Sequence, residues 1–219
     1  MKDIVIVGAG GLGLETAWLI EENNKINKRF NLLGYYDDDP NSKLESKMWI
    51  EYLGTIAELE KATRKIDVVI AIAKPEIKKI LFDKLSKNNF ITFQNVICEK
   101  INIHNTNTIG FGNIIFSDAK ITVNIDIGNF NLIGFNVTVG HGTNIGNYNS
   151  IYPGATISGD VSINNYVEIG TGANIIQDKR IDSYTKVGAG SVVIRDCGNN
   201  CTLVGVPGEV VKKGNDEAN

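Results

Sequence analysis

The chain has 219 residues, of which 42% are hydrophobic and 21% charged, and its formal net charge at neutral pH is −3. This composition allows a buried core in one or two domains and lacks the overall basic character typical of nucleic-acid-binding proteins. No run of 18 apolar residues occurs, so we expect no membrane span. Because Cys98, Cys197 and Cys201 have no ligand-like partners in the sequence, we expect reduced thiols, a cytoplasmic location and no structural zinc.

The first part of the chain alternates strand-like apolar runs with segments whose apolar residues have helical spacing. The predicted strands cover residues 3–7, 32–36, 67–73 and 90–93, and the predicted helices cover 14–24 and 75–85. The lysines of the second helix, including Lys78 and Lys79, are expected on its solvated face. This alternation predicts an α/β domain with a short, Rossmann-like parallel sheet over residues 1–97.

A glycine-rich turn, GAGGLG at residues 8–13, joins the first predicted strand to the first helix. Glycines let a backbone approach an anion closely, and the helix N-terminus offers free N–H groups and a positive dipole. The acidic run at 37–39 could bind a ribose hydroxyl or the edge of a base. We therefore expect a nucleotide-like ligand, although the domain is too short for the full dinucleotide-binding fold of a dehydrogenase. The alternative is that the glycines serve only tight packing between strand and helix.

The second part of the chain has an aliphatic residue at every sixth position. Sixteen positions follow one another without a gap: Ile103, Ile109, Ile115, Ile121, Ile127, Ile133, Val139, Ile145, Ile151, Ile157, Ile163, Ile169, Ile175, Ile181, Val187 and Val193. Two residues before many of them stands a small or β-branched residue, and glycine often follows directly.

A period of six excludes an α-helix, because 3.6 residues per turn cannot keep these side chains on one face. The period fits a triangular coil with three short strands and three corners in each turn of eighteen residues, in which each strand points one aliphatic side chain toward the axis. Stacked coils pair as parallel strands about 4.8 Å apart. Single repeats cannot bury themselves, so stability accumulates by stacking. The sequence therefore predicts a parallel β-helix over residues 98–219.

Several motifs resemble one family of hexapeptide-repeat acyltransferases. They are GAGG at 8–11, YDD at 36–38, GHGTNIG at 140–146, YPGA at 152–155, ISGDV at 157–161, GAGSVV at 188–193 and VGVPG at 204–208. Together they resemble the sialic-acid O-acetyltransferase family, which includes bacterial nucleotide-amino-sugar N-acetyltransferases. The resemblance covers almost the full chain and implies that the β-helix is left-handed.

The resemblance also implies an activity and an assembly. It implies an acetyl-CoA-dependent N-acetyltransferase that acts on a nucleotide-linked amino-dideoxy sugar of the 4-amino-4,6-dideoxyhexose type. The product would serve the synthesis of a surface polysaccharide such as the O-antigen of lipopolysaccharide. The enzyme would be a cytoplasmic homotrimer without a metal, with acetyl-CoA in a groove between neighbouring β-helices.

By the same resemblance, His141 is the general base, and the backbone N–H of Gly159 is a candidate donor to the oxyanion of the tetrahedral intermediate. An imidazole suits this role because its ordinary pKa of about 6.5 lets it accept a proton near neutral pH. The other implied site residues contact substrate or coenzyme. They are Ala9, Gly10 and Gly11 for the phosphates, Asp37 and Asp38 for the base, and Ser150, Thr171, Ala189, Gly205, Val206 and Pro207 for acetyl-CoA.

The chain departs from the family pattern beside its histidine. The family has Asp or Glu directly after the base, where this chain has Gly142. Some other carboxylate or a backbone carbonyl would have to orient His141. A family asparagine seven residues before the histidine is also absent, since that position is Gly134, and nearby Asn136 is a candidate replacement.

Other functions stay open at this point. The first alternative is O-acetylation of a sialic acid or another free sugar, and the second is a non-catalytic trimeric scaffold or binding protein. A β-helix carbonic anhydrase would need three zinc-binding histidines, whereas this chain has two, His104 and His141.

Overall fold

The computed structural model of the chain describes residues 1–39 and 49–213. The chain divides into two compact units. The first comprises residues 1–99 with 111–114, and the second comprises 100–110 with 115–219. Within the described ranges, no helix is both long enough and apolar enough to cross a membrane.

The first unit is built on a five-stranded parallel sheet in the order β3-β2-β1-β4-β5. Its elements are β1 (Lys2–Val7), α1 (Gly11–Ile26), β2 (Phe30–Tyr36), β3 (Tyr52–Gly54), α2 (Ile56–Leu59), β4 (Ile66–Ile70), α3 (Pro75–Leu85), β5 (Ile91–Phe93) and the short β6 (Val96–Ile97). The central strands β1 and β4 are almost wholly buried, which explains their continuous runs of apolar residues. The predicted α/β unit with a parallel sheet is confirmed.

Three elements of this unit are absent from the sequence prediction: β3, α2 and the two-residue β6. Strand β3 has only three residues, and α2 is a single turn of helix. Helix α2 begins with a capping box in which the Thr55 side chain accepts from the Glu58 N–H and the Glu58 carboxylate accepts from the Thr55 N–H. The spacing Thr-x-x-Glu is a known sequence signal for such a start, so the first residues of this helix could have been predicted from the sequence.

One expectation for α3 is wrong. Lys78 is buried, with only 2% of its surface exposed, instead of lying on a solvated face. It shares the buried side of the helix with Pro75, Leu81 and Leu85, which lie three or four residues apart. The long apolar stem of a lysine allows this position, because the methylenes can cover apolar surface.

The second unit is a left-handed parallel β-helix with three faces. The first face contains β7 (Thr108–Ile109), β10 (Asp126–Ile127), β13 (Asn144–Ile145), β16 (Ser162–Ile163) and β19 (Arg180–Ile181). The second contains β8 (Ile114–Ile115), β11 (Leu132–Ile133), β14 (Ser150–Ile151), β17 (Glu168–Ile169), β20 (Lys186–Val187), β22 (Cys201–Val204) and the antiparallel β23 (Glu209–Lys213). The third contains β9 (Lys120–Ile121), β12 (Thr138–Val139), β15 (Thr156–Ile157), β18 (Asn174–Ile175) and β21 (Val192–Val193).

The register of these strands confirms the predicted coil of eighteen residues. On the first face, for example, Ile127 pairs with Ile145 and Ile145 pairs with Ile163. Every predicted aliphatic position from Ile115 to Val193 is buried. The first two positions differ: Ile109 is only half-buried, and Ile103 lies outside any strand.

The small and β-branched residues two positions earlier are completely buried and fill the space beside the aliphatic side chains. They are Val137, Thr143, Ala155, Val161, Val167, Ala173, Thr185 and Ser191.

At most corners the chain turns through a residue in the left-handed region, with φ between 52° and 72°. Stacked coils align these residues in three columns. The histidine corner contains Asn124, Gly142, Asp160 and Asp178; the tyrosine corner contains Phe130, Tyr148, Tyr166 and Tyr184; the glycine corner contains Asp118, Asn136, Gly154, Gly172 and Gly190. Glycine, asparagine and aspartate tolerate this conformation most readily, which accounts for two of the columns. At the tyrosine corner, the rings stack almost parallel with centroids 4.7 to 5.4 Å apart.

Candidate active site

His141 lies at the histidine corner, directly before the left-handed residue Gly142. It follows strand β12, whose Val139 points into the buried axis, so the chain turns outward at the histidine. The N–H of Gly142 donates to the carbonyl of Val123 in the preceding coil at 3.2 Å, which fixes the corner in the stack. The imidazole is 58% exposed, so a substrate can reach it.

The imidazole of His141 lies directly against Gly159 of the following coil. A Cβ atom on Gly159 would be 2.6 Å from Cε1 and 2.7 Å from Nε2 of the ring, closer than such atoms approach in proteins. The ring can therefore hold this position only because residue 159 is glycine. The N–H of Gly159, predicted to donate to an oxyanion, makes no hydrogen bond to any residue that the structure describes. This N–H thus remains available beside the imidazole.

Asp160, which the sequence prediction missed, supplies a carboxylate at the same corner. Its Oδ2 lies 3.7 Å from Nδ1 of His141, and its backbone N–H donates to the His141 carbonyl at 2.7 Å. Gln177, one coil further, donates from Nε2 to the same carboxylate oxygen at 3.4 Å. Within the described ranges, Nε2 of His141 has no hydrogen-bond partner. This nitrogen is therefore free to accept a proton from a bound nucleophile.

Other residues proposed from the sequence lie away from this imidazole. Asn136, the candidate replacement for the family asparagine, belongs to the glycine corner and not to the histidine corner. His104 is exposed in the first coil, where its Nδ1 contacts the Thr106 hydroxyl at 2.9 Å. His104 lies near the same corner two coils before His141, and Asn136 lies at a different corner.

The predicted coenzyme residues mostly gather at the glycine corner. Thr171 and Ala189 are exposed and occupy the same position in successive coils, with the Gly190 N–H donating to the Thr171 carbonyl at 2.9 Å. The exposed segment 205–207 continues this corner after β22, and the carbonyl of Gly205 accepts from Val192 at 3.0 Å. The third face of the β-helix separates this corner from the histidine corner.

Ser150 is placed differently from the other predicted coenzyme residues. It lies in β14 on the second face, paired with Leu132 and Glu168 in the neighbouring coils. Its side chain is completely buried in the chain. The structure therefore does not bring Ser150 together with Thr171 and Ala189.

The glycine turn of the first unit contains two kinds of glycine. A Cβ atom on Gly13 would be 2.1 Å from the Gly8 carbonyl oxygen, and Gly8 has φ +112° with the Ala71 carbonyl oxygen 2.8 Å from its would-be Cβ. Packing alone explains these two glycines. Gly10 and Gly11 are exposed, and a Cβ atom on either would meet no atom within 4 Å. Their N–H groups have no hydrogen-bond partner in the part of the chain that the structure describes.

Ala9 differs from the two exposed glycines because its N–H is already bound. It is buried, and its N–H donates to Oδ2 of Asp37 at 2.6 Å. The other oxygen of Asp37 accepts from the Asp39 N–H, and Oδ1 of Asp38 accepts from the Ile56 N–H, both at 2.8 Å. Both predicted acidic residues therefore hold backbone in place at the carboxyl ends of the strands.

A small cavity of about 140 Å³ lies at this edge of the sheet. Its lining residues are Val7, Gly8, Asp37, Asp38, Ile56, Ile72, Ile77 and Leu81. They follow or flank the carboxyl ends of β1, β2 and β4, where open parallel sheets bind ligands. The two predicted base-binding acids thus share one cavity with the first glycine of the turn.

Neither a metal centre nor a reactive thiol is evident among the residues that the structure describes. No group of three or more potential ligands of the His, Cys, Asp or Glu type comes together there. All three cysteines are buried and free. Burial raises the pKa of the Cys197 thiol to about 11, helped by the neighbouring Cys201 and by Asp196 and Asp182. This thiol is therefore protonated at neutral pH and unsuited to act as a nucleophile.

Comparison with known proteins agrees with this architecture. Residues 3–85 match the family described as PglD N-terminal domain. No curated protein matches the chain at a significant level.

Three solved structures align over nearly the whole chain. The acetyltransferase domain of PglB from Neisseria gonorrhoeae FA1090 has a TM-score of 0.87 at 22% identity, with 96% of this chain and 100% of that chain covered. PerB from Caulobacter crescentus, solved in complex with CoA and GDP-perosamine, has a TM-score of 0.83 at 22% identity and covers 97% and 98% of the two chains. WeeI from Acinetobacter baumannii AYE has a TM-score of 0.83 at 26% identity and covers 96% and 100%. The chain is therefore similar to the PglD N-terminal domain over residues 3–85 and shares its fold with the PglB acetyltransferase domain, PerB and WeeI.

Proposed function

We propose that this protein transfers an acetyl group from acetyl-CoA to the amino group of a nucleotide-linked amino-dideoxy sugar, for the synthesis of a surface polysaccharide. The observation that carries the proposal is His141, an exposed imidazole that rests on Gly159 with Nε2 free, at a corner of a β-helix. The N-terminal domain match and the shared fold support the same activity, because PerB was solved with CoA and GDP-perosamine and the PglB domain with acetyl-CoA.

The proposed reaction is a direct attack on the thioester. The sugar amine attacks the carbonyl carbon of acetyl-CoA as Nε2 of His141 removes its proton, so that a C–N bond forms. The N–H of Gly159 donates to the oxyanion of the tetrahedral intermediate. When the C–S bond breaks, the imidazolium returns the proton to the CoA thiolate. No acyl-enzyme is needed, since no cysteine or serine among the residues that the structure describes is hydrogen-bonded to the His141 side chain.

In this proposal, acetyl-CoA and the nucleotide of the sugar substrate bind to different parts of the chain. Acetyl-CoA lies along the glycine corner, where Thr171, Ala189 and residues 205–207 are exposed and Gly172 and Gly190 leave room for close approach. Ser150 would serve this groove only indirectly, because its side chain is buried.

The nucleotide docks on the N-terminal domain, residues 1–97, while the catalytic domain comprises residues 98–219. The phosphates meet the free N–H groups of Gly10 and Gly11 at the start of α1. Ala9 supports that turn through its bond to Asp37. Asp38, which has a second carboxylate oxygen beyond the one bound to Ile56, faces the base in the small cavity.

The active assembly in this proposal is a cytoplasmic homotrimer, in which grooves between neighbouring β-helices hold the coenzyme. Free, buried cysteines are compatible with a reducing compartment. The chain's sixteen-position repeat gives three regular faces along which copies of the chain could pack.

The test of the catalytic role compares the two histidines of the chain. His141→Ala should lower kcat by about a hundredfold or more, which is what a general base contributes. His104→Ala is the matched control, since His104 is also exposed on the β-helix, and it should retain full activity. CoA release is followed with a thiol reagent, for which the buried cysteines give little background. Unchanged turnover in the His141→Ala protein would overturn the mechanism.

The test of the acceptor uses a panel of nucleotide-linked 4-amino sugars alongside free sialic acid. We expect turnover only with a nucleotide-linked amino sugar. Turnover of the free sugar alone would favour the O-acetyltransferase alternative. Failure to bind acetyl-CoA, measured by calorimetry, together with no turnover of any acceptor, would favour the non-catalytic scaffold.

A further inference from the structure

The carboxylate that the sequence lacks after His141 is present one coil further along. The β-helix repeats every eighteen residues, so residue 160 occupies the position of residue 142 in the next coil. Both have left-handed backbone at the histidine corner, with φ +67° at Gly142 and +57° at Asp160. Likewise, Gly159 is the counterpart of His141. The pair His-Gly in one coil thus stacks on the pair Gly-Asp in the next.

The Asp160 carboxylate occupies the space beside Gly142. A Cβ atom on Gly142 would be 2.1 Å from Oδ1 of Asp160. The carboxylate therefore holds its present conformation because residue 142 is glycine. Gly159 completes the arrangement, because its missing side chain lets the imidazole lie flat on the coil that carries Asp160.

Building on the proposed function, we propose that Asp160 is the positioning residue for His141 and acts from the following coil in place of an acid at position 142. Its carboxylate accepts the Nδ1 proton of the imidazole, so that Nε2 stays unprotonated and faces the amine. It also stabilises the imidazolium formed during attack. The present Nδ1–Oδ2 separation of 3.7 Å is longer than a hydrogen bond, and such contacts commonly tighten when substrate binds.

Gln177 and the backbone limit how Asp160 can move. The Asp160 N–H donates to the His141 carbonyl at 2.7 Å and joins the two coils at this corner, and the Gln177 amide, one coil further, donates to Oδ2. The carboxylate is thus held between two coils, with His141 on one side and Gln177 on the other.

The first experiment compares two acids of the same column. Asp160→Asn should lower kcat by about tenfold or more, part of the 10² to 10⁴ that a general base supplies, while KM for both substrates changes little. The matched control is Asp178→Asn, which removes the charge at the next position of the same corner, φ also +57°, one coil further from His141. It should have wild-type kinetics. Equal losses in both variants, or a loss confined to KM, would contradict the proposal.

The second experiment moves the carboxylate back beside the histidine. Asp160→Gly alone should lose kcat, because it removes the carboxylate from the corner. The double variant Gly142→Asp with Asp160→Gly restores an acid beside His141, where the space of the Asp160 side chain is now empty, so it should recover kcat above that of Asp160→Gly. A double variant no better than Asp160→Gly would count against positioning by a carboxylate.

A third measurement does not depend on knowing the acceptor. The chain has two histidines, so ¹⁵N-histidine labelling and a His104→Gln variant assign the ring signals of His141. At alkaline pH, where imidazoles are neutral, the wild-type ring should carry its proton on Nδ1. Asp160→Asn should shift it toward the Nε2 tautomer, whereas Asp178→Asn should not. An unchanged tautomer in Asp160→Asn would refute the positioning role, even if His141→Ala had already established the general base.

Discussion

Gly11 and Gly13 lie in the same turn, but different contacts account for them. Gly13 packs its Cα against the Gly8 carbonyl, where a methyl group would be 2.1 Å from the oxygen. Gly11 is exposed at the first position of α1 with nothing near its would-be Cβ. If the fold does not require glycine there, close approach of a phosphate is a physical reason for it.

We therefore predict opposite outcomes for two alanine substitutions. Gly13→Ala should destabilise the protein by about 1–3 kcal/mol, as overpacking of a tight contact does. Gly11→Ala should leave the unfolding free energy unchanged or slightly higher, because alanine favours helix. It should nevertheless raise KM for the nucleotide sugar about tenfold, equivalent to about 1.4 kcal/mol of lost binding.

The measurements are urea unfolding and steady-state kinetics with each substrate varied in turn. KM for acetyl-CoA is the internal control for Gly11→Ala and should not change. An unaltered KM for the nucleotide sugar would show that the phosphates do not bind at this turn.

At the same scale, Asp160 shows what the sequence could and could not predict. Because the period of six gives a coil of eighteen residues, the stacking of 160 on 142 follows by arithmetic. The direction of the His141 ring does not follow from this arithmetic. It depends on the missing side chain of Gly159 and on the left-handed backbone at Gly142 and Asp160. A pattern of residue types predicts which positions stack but not how a side chain turns within the stack.

Among the secondary-structure elements, the corners of the β-helix carry side-chain ladders as well as turns. Next to the tyrosine corner, Oδ1 of Asn147 accepts from both the backbone N–H and the amide of Asn129, at 2.8 and 3.0 Å. Its own amide donates to Asn165 in the following coil at 3.1 Å. Each asparagine thus joins two coils where the strands themselves are only two residues long.

Loss of this bridge should be costly. Asn147→Ala leaves a half-buried backbone N–H of Asn129 without its acceptor, so we predict a loss of about 1–3 kcal/mol in the unfolding free energy. The control is Asn164→Ala, since Asn164 is exposed and its amide contacts only Asp182 among the residues the structure describes. A surface change of that kind should stay within about 0.5 kcal/mol. Chemical unfolding at one fixed protein concentration compares the two, and equal stability would show that the ladder adds nothing.

The elements also differ in how well their sequence predicts them. The β-helix strands follow from aliphatic residues whose burial is dictated by the period, and α3 begins and ends at the predicted residues because Pro75 suits its first turn. Strand β3 has only three residues, too few for a period to appear, and its pairing with β2 is a tertiary contact. The buried Lys78 likewise follows from where α3 packs, which helical spacing alone does not reveal.

For the whole molecule, the distance between His141 and the proposed coenzyme site at the glycine corner bears on how the chains assemble. On one chain, the histidine corner and the glycine corner lie at opposite edges of the third face. About five extended residues separate them, or roughly 16 Å. A second copy that brings its glycine corner to the histidine corner of the first would place the coenzyme beside His141 without crossing that face. In the proposed trimer, this arrangement would place each active site between two neighbouring chains.

We therefore predict that two inactive variants complement each other in mixed trimers. His141→Ala lacks the base, and Ala189→Trp blocks the glycine corner, so either variant alone should be inactive. Light scattering should give each variant a mass three times the chain mass of 23.9 kDa. After the two are unfolded together and refolded, some interfaces combine an intact His141 from one chain with an intact Ala189 from its neighbour. Random assortment would restore about a quarter of the sites, because each site draws one residue from each of two chains. Each variant refolded alone is the control. If both residues of a site came from the same chain, every site would keep one lesion, and the mixed trimers would stay as inactive as the single variants.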